Sequence, residues 1–139
     1  MAIVKNTPIG INLPIRDGKG GYFDQSTDTF TAIRMNIINL LRTNPGERRM
    51  NPIFGTRLWN IVFEPNDQFI SDKVNKIVTE DINQWIPGIT VNSINVETFE
   101  NDGSANLKDI YKLYITIIFT IDSINQSDTM DIVLNVNKV

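Results

Sequence analysis

Residues 110–122 read IYKLYITIIFTID, with apolar side chains at every second position. Such alternation is typical of a β-strand that buries one face. Two other strand-like stretches flank it, at residues 89–100 and 129–139, and the polar linkers between the three suit hairpins. The sequence therefore predicts a three-stranded antiparallel meander. Its last strand places three apolar residues on one face: Ile132, Leu134 and Val136.

Helical spacing of apolar residues precedes these strands. It predicts a helix over about residues 27–43, a short helical segment over about residues 56–63 and a longer helix over about residues 66–85. Helices that come first and strands that follow indicate an α+β fold with a single domain. Residues 1–26 are rich in glycine and proline, so we expect an extended N-terminal arm, with residues 27–139 as the folded domain.

The composition narrows the range of functions. A chain of 139 residues suits one hydrophobic core, and neither a signal-like leader nor a membrane-spanning run is recognised, so we expect a soluble protein. The absence of Cys and His removes thiol nucleophiles, imidazole bases and the usual zinc ligands, so no cofactor or metal is expected. A net charge of −3 is unfavourable for a protein that binds nucleic-acid backbones.

The connector between the two main helices concentrates turn residues and charge. Residues 40–65 read LLRTNPGERRMNPIFGTRLWNIVFEP. Asn44 stands before Pro45, which disfavours helical geometry, and Pro45-Gly46 fits the centre of a type II turn. The charged residues of the connector could form an interface with a partner, or an internal network that braces the turn. They are Glu47, Arg48, Arg49 and Arg57.

Asp81 lies within the apolar stripe of the longer helix. Because an isolated buried charge is costly, its carboxylate is expected to have a partner. Our hypothesis is that this partner is one of three connector arginines: Arg48, Arg49 or Arg57.

The connector resembles the signature of the contractile-tail baseplate wedge proteins of myophages, the sheath-initiator family. That signature combines a helix ending in Leu-Leu, a Gly-Glu-Arg turn, a Pro-x-Phe-Gly element and a short helix that leads into Phe-Glu. The corresponding residues here are Leu40, Leu41, Gly46, Glu47, Arg48, Pro52, Phe54, Gly55, Phe63 and Glu64. The leader GINLPIRDGKGGYFDQS, at residues 10–26, is also similar to that of phage members.

The resemblance implies a structural protein of the virion, assembled in the host cytoplasm into a six-fold baseplate around the tail tube. Family members join the wedge complex through their helices and offer open sheet edges to the arms of the first sheath ring, which starts sheath assembly. The expected partners are other baseplate wedge proteins, the tail sheath protein and the tail tube, with no nucleic acid and no membrane. A baseplate component of a tailocin or of a type VI secretion system is the alternative.

One part of the chain departs from the family pattern. Many members carry Glu-Pro-Arg at the end of the long helix, where this chain reads Ile86-Pro87-Gly88. The proline turn is kept and both charges are lost, so the ion-pair contact of other members is not implied here. An apolar contact through Trp85 and Ile86 could take its place.

The family has also carried a lysozyme label, so catalysis needs to be considered. Glycoside hydrolysis commonly uses two carboxylates about 5–9.5 Å apart beside a cleft. Glu47 and Glu64 are the candidates within the connector, but no spacing in the sequence indicates a cleft. We therefore expect a protein that is not an enzyme, with a peptidoglycan hydrolase and a generic adaptor as alternatives.

Overall fold

The computed structural model describes residues 7–19, 23–62, 69–98 and 112–135. The chain forms two compact units, residues 1–39 and residues 40–139. Helices precede an antiparallel sheet, which confirms the α+β prediction. In chain order the elements are β1 (Gly10–Ile11), β2 (Gln25–Ser26), α1 (Thr29–Arg42), α2 (Leu58–Val62), α3 (Ile70–Trp85), β3 (Ile89–Thr98), β4 (Lys112–Ile121) and β5 (Gln126–Asn135).

The first unit contains a short hairpin formed by the N-terminal arm. Strands β1 and β2 pair antiparallel, with Ile11 opposite Gln25. Beyond them the Asn12 N–H donates to the Asp24 carbonyl at 2.9 Å, and the Asn12 side-chain amide donates to the Asp24 carboxylate at 3.0 Å. The arm therefore satisfies part of its backbone by folding back on itself, a detail that its glycine and proline content does not predict. The domain boundary at residue 26 stays a prediction.

Helix α1 begins after a side-chain cap. The Asp28 carboxylate accepts hydrogen bonds from the Thr31 N–H at 3.0 Å and from the Thr31 hydroxyl at 3.3 Å. Such a cap satisfies one of the backbone donors that have no partner within the helix. In the same unit, the Leu13 N–H approaches the Met35 sulfur at 3.2 Å, so the arm contacts the side of this helix.

The second unit contains the predicted meander. The strand order is β3–β4–β5, and both pairings are antiparallel. Ile115 in the central strand lies opposite Val96 on one side and Ile132 on the other. The register therefore aligns the apolar faces of all three strands, as the alternation in the sequence requires.

The turn between β4 and β5 is tighter than the sequence predicts. It comprises residues 122–125, so β5 begins at Gln126 and not near residue 129. Asn125 adopts the left-handed conformation with a φ of 53°, which asparagine tolerates, and its N–H donates to the Ile121 carbonyl at 2.8 Å. The first residues of β5 are polar, with Gln126 and Ser127 exposed and Asp128 half-buried, and this polarity made them resemble a loop.

The core of the second unit lies on one face of the sheet. Helix α3 packs against β3, and α2 packs against α3. Burying an aliphatic or aromatic side chain contributes about 1.5–3 kcal/mol, so this layer holds the helices on the sheet. Its buried members include Leu58 and Ile61 in α2, Ile70, Val74, Val78 and Ile82 in α3, Ile89 in β3, Leu113, Ile115, Ile117, Phe119 and Ile121 in β4, and Met130, Ile132 and Leu134 in β5.

Candidate functional site

The connector loop, residues 43–57, is closed by its own backbone. The Gly46 N–H donates to the Pro52 carbonyl at 2.7 Å, and the Thr56 N–H donates to the Thr43 carbonyl at 2.9 Å. The second bond brings the two ends of the loop together, and the first closes its tip. The loop is therefore a defined structure, although it contains no helix or strand of its own before α2.

Glu47 braces the turn. Its carboxylate accepts hydrogen bonds from the Asn44 N–H at 3.1 Å and from the Asn44 side-chain amide at 3.1 Å. The Glu47 N–H in turn donates to the Asn44 carbonyl at 3.1 Å. Hydrogen bonds to an ionised acceptor are stronger than those between neutral groups. Glu47 thus fixes backbone geometry, and it makes no ion pair with any arginine of the described residues.

Gly55 allows two segments of the loop to pass close to each other. Its φ of +127° lies in a region that side chains rarely adopt. A Cβ atom at this position would lie 2.5 Å from the Thr43 carbonyl oxygen. Gly46 also has a positive φ, +92°, but nothing lies within 4 Å of the corresponding point. Gly46 is therefore required for conformation alone, and Gly55 for conformation and close approach.

An aromatic stack ties the loop to the end of α3. The Arg48 guanidinium lies over the Phe54 ring, 3.9 Å from its centroid. The Phe54 ring meets the Trp85 ring edge-on, with the centroids 5.2 Å apart and an interplanar angle of 68°. Two segments that the resemblance assigned separately, the Phe-Gly element and the end of the long helix, are thus in contact. The stack also gives Trp85 an intramolecular partner.

The tip of the connector loop is exposed. The side chain of Met50 is 99% exposed and that of Ile53 is 70% exposed. Arg48, Arg49 and Pro52 are exposed as well. Arg49 has neither a hydrogen bond nor an ion pair with the described residues. Of the two alternatives for the connector charges, an internal network does not include Arg49 within the described residues, and the loop is braced by the Glu47 carboxylate and the aromatic stack.

Asp81 does not form the expected ion pair. The Arg57 guanidinium is near enough to favour the ionised carboxylate, but no arginine of the described residues pairs with it. Burial raises the pKa of Asp81 above its ordinary value, and the Thr56 hydroxyl and Arg57 lower this pKa by less than burial raises it. The hydroxyl oxygen of Thr56 and one carboxylate oxygen of Asp81 are buried without a well-formed hydrogen bond. The side chain of Arg57 is exposed, so its charge is screened by water.

The direction of the hydrogen bonds shows which backbone groups of β5 face outward. The Asp122 N–H donates to the Gly88 carbonyl at 3.1 Å, toward β3, and the Ile121 carbonyl accepts from the turn that leads into β5. In an antiparallel pair the direction alternates along each strand. Every second residue of β5 therefore turns its N–H and C=O groups away from β4: Ser127, Thr129, Asp131 and Val133.

The two outer edges of the sheet differ. In the part of the chain that the structure describes, no strand pairs with the outer edge of β3 or of β5. On β3 the register shifts between Val91 and Ser93, which marks a bulge at Asn92. Bulges disrupt an edge, whereas β5 is regular along all ten residues. On β5 the Thr129 N–H is occupied by the Asp128 carboxylate at 2.9 Å, and Asp131 and Val133 continue the edge beyond it.

The remaining residues of the resemblance lie in the core, in an exposed turn or outside the described residues. Ile132 and Leu134 are buried in the core, so their side chains position β5 and are not exposed to a partner. Pro87 is exposed in the turn after α3. Phe63, Glu64 and Val136 lie outside the described residues. Of the two candidate catalytic carboxylates, only Glu47 is therefore described.

The described residues contain neither a cluster of metal-binding carboxylates nor a membrane-spanning helix. Across the described ranges, no group of acidic side chains is arranged to hold a metal ion. Among the helices of those ranges, none combines the length and the apolar character needed to cross a bilayer.

Sequence reasoning did not single out Met50 and Ile53. Two apolar residues in an otherwise polar turn, outside any helical or strand periodicity, are nevertheless a usable signal of an exposed contact.

Comparison with known proteins places the fold. A family model described as baseplate wedge protein gp25 matches residues 28–126. A tail-lysozyme candidate from Geobacter sulfurreducens has a similar structure, with a TM-score of 0.68 and 22% identity, covering 81% of this chain and 96% of that chain. No match was found among curated proteins.

Two baseplate structures are also similar. A chain in the six-fold symmetrised baseplate of the anti-feeding prophage gives a TM-score of 0.65 at 17% identity, covering 81% of this chain and 83% of that chain. A chain in the postcontracted baseplate of pyocin R2 gives a TM-score of 0.51 at 19% identity, and the match covers 87% of this chain and 97% of that chain. At these sequence identities the solved structures show a similar fold only. The match to the family model is what assigns the chain to a family.

Proposed function

Because the chain belongs to the baseplate wedge protein gp25 family, we propose that it is a structural part of the baseplate of a contractile tail. It joins the wedge through its helices and starts sheath assembly by accepting an arm of the sheath protein on the open edge of its sheet. Its partners are other wedge proteins, the tail sheath protein and the tail tube, in a six-fold assembly. It is made in the host cytoplasm and becomes part of the virion of a myophage, with a tailocin or type VI baseplate as the alternative.

The observation that carries this proposal is the outer edge of β5, on which no other strand of the described residues pairs. Backbone groups at an open edge form hydrogen bonds with an added strand without rearrangement of the sheet. The β5 edge is regular, whereas the bulge at Asn92 interrupts the edge of β3. The buried side chains of Ile132 and Leu134 anchor β5 in the core, so its edge is ordered before a partner binds.

A proline on the outward edge tests the proposal. Asp131→Pro removes an N–H that faces away from β4, so the ladder to β4 stays intact while the added strand loses a donor. The matched control is Asp131→Asn, which changes the charge and keeps the donor. We expect particles with Asp131→Pro to contain the protein and to lack sheath, and particles with Asp131→Asn to carry normal sheath in electron micrographs. Normal sheath on the Asp131→Pro particles would refute strand addition at this edge.

A peptidoglycan hydrolase is the rival function, since the Geobacter sulfurreducens neighbour is named as a tail-lysozyme candidate. The Glu47 carboxylate accepts hydrogen bonds from the Asn44 N–H and the Asn44 side-chain amide, so it is already engaged in bracing the turn. Purified protein that clears peptidoglycan, and loses this activity in Glu47→Gln, would favour the hydrolase.

A further inference from the structure

We propose that the tip of the connector loop is a plug that inserts into an apolar pocket, bordered by carboxylates, on a neighbouring protein of the baseplate. The plug comprises Arg48, Arg49, Met50 and Ile53. The assembly in which it acts rests on the proposed function, and the chemistry of its partner follows from the loop itself.

The plug is rigid before it meets a partner. Its base is closed by the bond from the Gly46 N–H to the Pro52 carbonyl, 2.7 Å long. A second backbone bond encloses Ile53, from the Phe54 N–H to the Asn51 carbonyl at 3.2 Å. The Arg48 guanidinium is held on the Phe54 ring, 3.9 Å from the centroid. A surface ordered in advance loses less conformational entropy when it binds, so this bracing favours association.

Two apolar side chains of the rigid loop are exposed to solvent. Met50 is 99% exposed and Ile53 is 70% exposed, so burial of these two side chains contributes little to the stability of this chain. The fold therefore gives no reason for apolar side chains at these two positions. Methionine adapts its shape to irregular pockets, and isoleucine supplies a stiff, branched surface, a combination suited to an apolar cavity on another protein.

The positive charge of the loop indicates which residues surround that pocket on the partner. Residues 42–57 carry four arginines and one glutamate, whereas the whole chain has a net charge of −3. The one acidic side chain, Glu47, is directed at Asn44. Arg49 has no ion pair with the described residues, so its guanidinium is available to a carboxylate of the partner. Charge complementarity thus indicates acidic residues around the pocket.

Other kinds of partner fit the loop less well. Single-stranded nucleic acid is held by exposed aromatic faces beside basic residues, but one face of Phe54 is covered by Arg48 and its ring also meets Trp85. A membrane surface is bound by a long apolar face with many basic residues, and this tip offers two apolar side chains. A protein pocket matches the small size of the plug.

A photo-crosslinking experiment can identify the contact. The chain has no cysteine, so Met50→Cys gives a single site for a benzophenone maleimide, and Ile124→Cys gives the matched control in the β4–β5 turn. Labelled protein is assembled into baseplates, which are irradiated and digested. We expect position 50 to crosslink to one segment of another baseplate protein that contains apolar and acidic residues, and position 124 not to reach that segment. A crosslink from position 50 to nucleic acid, lipid or this chain itself, or no crosslink, would overturn the proposal.

Incorporation into baseplates provides the second measurement. Met50→Ser with Ile53→Ser should lower the fraction of protein found in baseplates about tenfold, as expected for the loss of about 1.4 kcal/mol of binding free energy. The matched control, Ile15→Ser with Ile124→Ser, alters two exposed apolar residues outside the loop and the helices and should leave incorporation unchanged. Equal melting temperatures for both variants exclude misfolding. Wild-type protein absent from baseplates would instead refute the proposed function, and normal incorporation of the plug variant would refute the plug.

Discussion

Replacing Gly55 with alanine tests whether the connector loop is held against the end of α1 as the structure shows. At a φ of +127° a side chain adds strain of about 1–3 kcal/mol. The new Cβ would also lie 2.5 Å from the Thr43 carbonyl oxygen, which is backbone and cannot rotate away. That oxygen accepts the Thr56 N–H at 2.9 Å, so moving it weakens a hydrogen bond that contributes about 0.5–1.5 kcal/mol.

The two effects together predict a loss of about 2–4 kcal/mol in the free energy of unfolding. This is a large share of the roughly 5–15 kcal/mol that stabilises a typical domain. Urea titrations followed by tryptophan fluorescence and circular dichroism would measure the loss, since the chain contains two tryptophans.

Gly46→Ala is the matched control for this prediction. Gly46 has a φ of +92° and no atom within 4 Å of the Cβ position, so alanine there adds strain without a collision. Gly55→Ala should therefore cost at least about 1 kcal/mol more than Gly46→Ala, the difference being the close contact and the weakened hydrogen bond. Equal losses in the two variants would show that the loop does not approach Thr43 as closely as described, and the reasoning would fail.

Two further predictions concern the bracing of the loop and the buried carboxylate. Arg48→Ala should lower the free energy of unfolding by about 0.5–1 kcal/mol, because it removes the cation–π contact with Phe54, whereas Arg49→Ala should have no measurable effect in the same urea titrations. Equal effects of the two changes would argue against the stack. Burial raises the pKa of Asp81, so the folded state binds its proton more tightly than the unfolded state. The cost of the charge is therefore fully present above the folded-state pKa, and stability is regained as pH falls through that pKa toward the ordinary value. Asp81→Asn should raise stability at neutral pH and flatten this pH dependence, and an unchanged pH profile would contradict the assignment.

The strands and the main helices could be predicted because their periodicity is local. In β4 the five buried residues from Leu113 to Ile121 alternate as the sequence indicates, since a half-buried strand leaves a period of two. The predicted start of β5 was three residues too late, because residues at the exposed end of a strand are as polar as those of a loop. The ion pair expected at Asp81 was also wrong, because residue spacing along a helix does not show which way a guanidinium from a loop is directed.

The sequence by itself determined that this is an α+β chain, with a turn at Gly46 and a connector of the wedge family type, because those features depend on neighbouring residues and their local geometry. The tertiary structure decided that Phe54 meets Trp85, that Gly55 passes beside Thr43, and that Asp131 and Val133 turn their backbone groups outward. These facts depend on contacts between segments distant in sequence, where packing and strand register, and not local preference, select the arrangement.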